Sequence, residues 1–354
     1  MKKVFIFLFA CFIVSFSFGE DFKSSSVYVE NEQQIISTEK EYSHTQVALT
    51  GYIPYFGTYL LSASQLLLPQ NFVQQSICLE SLLLNIPASI VNPVYTLTGS
   101  AITTGSWVSG MLLENHQNIY GNPSLAYTFE NVGFKGNMWL QYKGYEKARS
   151  SCSSDFYKEY ETLSFKDAVL ACYDPKILSK KSVWIPVLSL TALNAGFNLL
   201  GGFDQSVFKT GESYIGNYKV PIAAGIATVL ALSCVDYMFT GIGEEALFRG
   251  VGYEEMKVSM GLWPAKLIDA IGFPVVHTPQ YVLAGYDFSS ILLTFGVQSG
   301  ITFLLQWVYD KGGLKDSIAA HMWIDVLSSV TTYLLTSGIE NNDFALNISF
   351  STKL

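Results

Sequence analysis

Three short polar patterns interrupt apolar sequence in the C-terminal half of this chain. Glu244-Glu245 is followed by Arg249, Phe273 stands four residues before His277, and His321 stands four before Asp325. A charged group inside an apolar span costs about 3 kcal/mol or more, so each one needs a reason to be there. On a helix the two glutamates point about 100° apart. Glu245 lies one turn before Arg249 with the acid N-terminal, the favourable pairing order. Arg249 is therefore expected to neutralise Glu245 and leave Glu244 facing a cavity. His321 and Asp325 share one helix face, where the carboxylate can orient the imidazole or both can bind a metal. Together the groups could supply a base to activate water, a partner to hold it and a group to stabilise an oxyanion. Taken singly, each also has a structural explanation: an ion pair at headgroup level, a satisfied buried histidine, a helix-stabilising pair.

The elements that must carry these residues follow from composition. Of 354 residues, 14% are charged and 49% hydrophobic, with mean hydropathy +0.28. Ordinary soluble domains carry roughly 25% charge. Most cytosolic enzymes are excluded, and lipid is the expected solvent. The balance of 21 basic and 29 acidic residues, net −8, argues against a nucleic-acid-binding surface. Arg149 and Arg249 are the only arginines.

Residues 1–19 read as a secretory signal, with Lys2 and Lys3 before the apolar run Val4 to Phe16 and small residues Ser17 and Gly19 suiting cleavage before Glu20. An uncleaved signal anchor is the alternative; either way Glu20 emerges on the extracytoplasmic side. Residues 20–45 form a polar lead-in. Residues 46–113 hold two charge-free tracts, Ser43 to Leu79 and Ser81 to Leu113, whose Pro54, Pro69, Pro87 and Pro93 blur the ends of any span. Residues 114–182 are highly charged and are expected outside the bilayer or flat on its surface, with Tyr157–Lys181 forming two short helices broken at Asp174-Pro175. Apolar spans follow at Val183–Phe203, Val220–Gly243, Leu262–Ala284, Ser290–Tyr309 and Ser317–Ile339, each near the roughly 20 residues a bilayer needs. Residues 341–354 are a polar tail. The fold expected is all-α, a polytopic bundle of about 6–8 membrane helices with a polar extramembrane insertion. Cys152 and Cys172 could pair if their stretch is exported, while Cys11, Cys78 and Cys234 lie in apolar sequence.

E-E-x-x-x-R at Glu244–Arg249, F-x-x-x-H at Phe273–His277 and H-x-x-x-[ND] at His321–Asp325 together resemble the motifs of the CAAX prenyl protease and bacteriocin-processing family, the Abi-type intramembrane proteases. Order and spacing match, over roughly residues 183–340. The resemblance implies a helical bundle around a water-filled cavity in which a peptide bond is hydrolysed. It implies that Glu244 activates water with help from His277, that Glu245 and Arg249 support it, and that His321 and Asp325 line the oxyanion side. The last position is often Asn in that family, and an ionised Asp cannot donate a hydrogen bond. Asp325 is then protonated, or orients His321, or joins Glu244, His277 and His321 in a set compatible with zinc.

Other chemistries fit less well. There is no H-E-x-x-H, and Gly296-Val297-Gln298-Ser299-Gly300 misses rhomboid spacing by one. Gly241-Ile242-Gly243-Glu244 imitates a G-x-G-D motif without a partner Asp. The expectation is an intramembrane endopeptidase, metal-assisted or not, acting on a peptide or membrane-protein substrate in a bacterial inner membrane. A non-catalytic peptide-binding or immunity protein, and an ion relay, are the rivals.

Overall fold

The computed structural model describes residues 42–67, 93–115, 123–152, 157, 162–201, 210–215, 218–283 and 285–336. The expected signal, the lead-in before residue 42, the C-terminal tail, Cys11 and Cys78 lie outside these residues. The described residues are all-α, 88% of them helical, and a hairpin of β1 (Glu212–Ile215) and β2 (Tyr218–Pro221) supplies the only strands among them.

The helices run α1 (His44–Leu67), α2 (Pro93–Asn115), α3 (Pro123–Ser150), α4 (Phe165–Ala171), α5 (Pro175–Leu178) and α6 (Lys181–Gly201). After the hairpin come α7 (Ile222–Glu245), a π-helical turn (Ala246–Tyr253), α8 (Glu254–Met260), α9 (Leu262–Leu283) and α10 (Phe288–Thr336). Pro93 opens α2, where its missing N–H costs nothing. The expected break at Asp174-Pro175 is present: Asp174 caps α5 by accepting from the Lys176 amide at 2.8 Å, with Pro175 at the first helical position. Ser164 caps α4 the same way, from the Asp167 amide at 3.0 Å.

Among the described residues, three stretches are long and apolar enough to cross a membrane: Lys181–Leu199, Ile222–Met260 and Phe288–Thr336. The last is interrupted at Gly313, whose φ of 78° and ψ of −170° break the helix into two. Only glycine adopts that conformation readily, and each half is close to the roughly 20 residues of a bilayer. The break falls between the two apolar spans expected there, Ser290–Tyr309 and Ser317–Ile339. Helix α9 is absent from the three, because Lys266 and Asp269 dilute its apolar run. The outward faces stay apolar, with Ile185, Leu188, Val235, Ile271 and Leu292 exposed, as a lipid-facing surface requires.

The largest departure from expectation is α3. Charge in residues 114–182 suggests a segment lying apart, yet α3 packs against α2, α7, α1 and the π-helical turn. Trp139, Tyr142 and Tyr145 are buried in the main apolar cluster with Tyr55, Phe248 and Phe273. Its charged residues go inside because partners wait there. Lys135 pairs with Glu244, Lys143 with Glu146, and Arg149 with Glu254 at 3.6 Å. Tyr145 donates to Glu255 at 2.9 Å and Tyr157 to the same carboxylate at 3.2 Å. Burial, and then the Glu255 charge, hold the Tyr157 hydroxyl well above its ordinary pKa, so it remains a donor.

Cys152 and Cys172 are free thiols. Cys172 is fully buried, and burial pushes its thiol up to about 12, which leaves it protonated and unreactive.

Close approach of α3 to α7 rests on Gly243. A β-carbon there would sit 2.6 Å from the Lys135 carbonyl oxygen and 2.8 Å from its Cα. Gly243→Ala should therefore force the two helices apart, lowering stability by about 1–3 kcal/mol. A detergent-solubilised unfolding titration checks this, and an unchanged midpoint would contradict the packing described.

Candidate active site

The three motif pieces converge. The C-terminal end of α7 supplies Glu244 and Glu245, the π-helical turn supplies Arg249, α9 supplies Phe273 and His277, and the second half of α10 supplies Ser317, His321 and Asp325. Glu245 and Arg249 have no exposure at all, and Glu244, His321 and Asp325 no more than 7%.

Glu245 is the knot. One of its oxygens accepts from His321 Nδ1 at 2.7 Å and lies 3.0 Å from Arg249 Nη1; the other accepts from the Ser317 hydroxyl. The Arg249 contact is a charge contact by distance, with angles outside the hydrogen-bond range. Arg249 also places Nε 3.7 Å from Asp269 Oδ2 and its guanidinium 4.9 Å from the centre of the Phe273 ring. Asp269 is held in turn by Tyr55 at 3.0 Å and Gln306 at 2.9 Å. The expected Glu245–Arg249 pairing is thus present, within a wider network that ties α1, α9 and α10 to the π-helical turn. Turns of this kind are rare and concentrate at functional sites.

Phe273 explains the spacing of its own motif. Its ring lies 4.5 Å from the His277 ring, 37° from parallel, and edge-on to His321 at 6.3 Å. Its carbonyl oxygen is 2.8 Å from His277 Nδ1. A carbonyl only accepts, so Nδ1 carries the proton, and Nε2 of the neutral ring is left as the acceptor.

Two expectations need correction. Glu244 does not stand alone before a cavity, because the Lys135 ammonium of α3 pairs with its Oε1. And the carboxylate that holds the His321 imidazole is Glu245, with Asp325 on the opposite side: His321 Nε2 is 3.5 Å from Asp325 Oδ2 and 3.7 Å from Glu244 Oε2. Those two separations are too long for direct hydrogen bonds and suit a shared water.

Of the expected zinc set, Glu244 pairs Oε1 with Lys135, while His277 turns Nδ1 to the Phe273 carbonyl and His321 turns Nδ1 to Glu245, which leaves each imidazole Nε2 as a metal-ligating histidine presents it. Among the described residues no three His, Cys, Asp or Glu side chains group as a metal site.

Lys135, Asp269, Tyr55 and Gln306 were not singled out by sequence. For Lys135 a signal exists: between Glu130 and Lys143 it is the only charged residue, set between Gly133 and Gly136.

Residues 226–327 match the family model described as type II CAAX prenyl endopeptidase Rce1-like, a stretch that contains all three motifs and excludes α3. No curated protein and no solved structure matches the chain.

Removing the central cation isolates two buried carboxylates. Arg249→Leu should destabilise the protein by about 3–5 kcal/mol, the usual cost of orphaning a buried charge. An unfolding midpoint indistinguishable from wild type would show that Glu245 and Asp269 are balanced by other groups.

Proposed function

We propose, from the premise that residues 226–327 form an Rce1-like type II CAAX prenyl endopeptidase domain, that this chain is an intramembrane endopeptidase acting through Glu244, His277, His321 and Asp325. The observation that carries the reading is the convergence of three sequence-distant motifs on one buried polar cluster, with Glu245 fixing His321 through Nδ1. Glu245 and Arg249 support the reacting groups and do not react.

The reaction is peptide hydrolysis. A water held by Glu244 and His277 gives a proton to the Glu244 carboxylate as its oxygen bonds to the scissile carbonyl carbon, whose π electrons move to its oxygen. Collapse of that oxyanion breaks the C–N bond, and the leaving nitrogen takes the proton back from Glu244. His321, oriented by Glu245, presents Nε2 between Glu244 and Asp325. None of these steps requires a metal. The substrate is a peptide or membrane-protein segment entering from the bilayer. The protein is multi-pass, with about 6–8 membrane helices once the tracts before α3 are counted, in a bacterial inner membrane.

A second reading is a non-catalytic peptide-binding or immunity protein using the same cavity. The pairing of Lys135 with Glu244 favours it, because a carboxylate matched by an ammonium is a weaker base.

Purified variants separate the two. Glu244→Gln, His277→Ala and His321→Ala should each lower cleavage of internally quenched peptides by about 10²-fold or more. Cleavage at wild-type rates by Glu244→Gln sinks the enzymatic reading. Activity should also survive a zinc chelator; loss that added zinc reverses would restore the metal set.

A further inference from the structure

The polar cluster holds an excess of acid. Glu244, Glu245, Asp269 and Asp325 face Lys135, Arg249 and the imidazole of His321. Arg249 is committed to Glu245 and Asp269, packed beneath the Phe273 ring. Asp325, as a carboxylate, accepts hydrogen bonds and donates none. An oxyanion formed beside Glu244 would add another negative charge to this acidic surrounding; His321, with Nε2 between Glu244 and Asp325, is one group that can meet it, and neither Arg249 nor Asp325 supplies a second donor.

Lys135 is placed to be that donor. Its ammonium carries three N–H groups, and Glu244 Oε1 engages one. It also lies within electrostatic reach of both His277 and Asp325. Water activated on Glu244 attacks a carbonyl carbon one bond away from the oxygen that becomes charged. A cation already on Glu244 is therefore within side-chain reach of that oxygen. The placement is enforced by packing: Gly243, the residue before Glu244, has its Cα face against the Lys135 backbone with no room for a β-carbon. Lys135 itself is only 9% exposed, so its charge is not dispersed into solvent.

We propose that Lys135 of α3 is a catalytic residue of this site, a cationic donor to the oxyanion, supplied by a helix outside the stretch that matches the protease family. This rests on the endopeptidase reading above. It gives the Lys135–Glu244 pair a role in turnover: the ammonium shares itself between Glu244 in the resting state and the substrate oxygen as charge develops there.

The test uses the full-length protein in detergent micelles and a library of internally quenched peptides, with and without an S-prenylated cysteine, from which a cleaved member is chosen. Lys135→Met should lower kcat by about 10²–10³-fold, the usual cost of losing an oxyanion donor, while KM stays within about threefold. Combining it with Asp325→Asn places an amide donor in the cluster and removes one negative charge; the double variant should regain at least about tenfold over Lys135→Met alone. A merely structural ion pair would not be rescued this way. Lys135→Leu, which likewise removes every donor, is read in the same manner should the Met variant fail to fold. Wild-type or raised kcat in the Lys135 variants would mean that the ammonium only blocks Glu244, and absence of rescue by Asp325→Asn would leave it a positioning contact; either overturns the proposal. If Glu244→Gln still cleaves, or the wild-type protein cleaves no peptide, it is the endopeptidase reading that fails.

Discussion

A carboxylate cut off from solvent has to be met by donors, and the C-terminal half of this molecule is arranged around meeting one of them. Glu245 has no exposure and takes the imidazole of His321, the hydroxyl of Ser317 and the charge of Arg249. Those partners come from α10 and from the π-helical turn that continues α7, so satisfying one side chain fixes the crossing of two long helices. Arg249 then carries the constraint outward to Asp269 on α9, which holds Tyr55 of α1 and Gln306 of α10. Leaving any of these groups unpartnered costs several kcal/mol in a low-dielectric interior. The polar network therefore specifies geometry as much as it adds stability. The sharp approach of elements around it is permitted by small residues, with Gly241 against the backbone of α10 and Gly243 against that of α3.

The same geometry separates two neighbouring glutamates into two environments. Glu245 is tied up in structure and aims His321; Glu244, about a quarter-turn away, meets Lys135 and the long contacts to His321. Two adjacent carboxylates thus meet different partners, an imidazole, a hydroxyl and a guanidinium for one and an ammonium for the other.

Much of this was legible in the sequence because apolar surroundings make polar residues stand out. The three motifs, the break at Asp174-Pro175, the division of the last apolar stretch near Gly313 and the Glu245–Arg249 pairing all follow from local periodicity and capping chemistry. What sequence hid was long-range pairing. Averaged over residues 114–182, charge reads as exposure, yet Lys135 and Arg149 are interior residues whose partners lie more than 100 positions away. The i, i+4 spacing of His321 and Asp325 likewise suggests a local pair, but a closer acceptor, Glu245, arrives from another helix. Charge count in a window measures composition, and burial depends on whether a complementary charge comes to meet it.

The central claim is that the cluster around Glu244 cuts peptide bonds in or at the membrane. It is tested most directly by comparing protein N- and C-termini, by quantitative mass spectrometry, in membranes of cells expressing the wild-type chain or Glu244→Gln at equal levels. The account predicts a set of new termini, present with wild type and lost with the variant. Identical termini in the two membranes would contradict it.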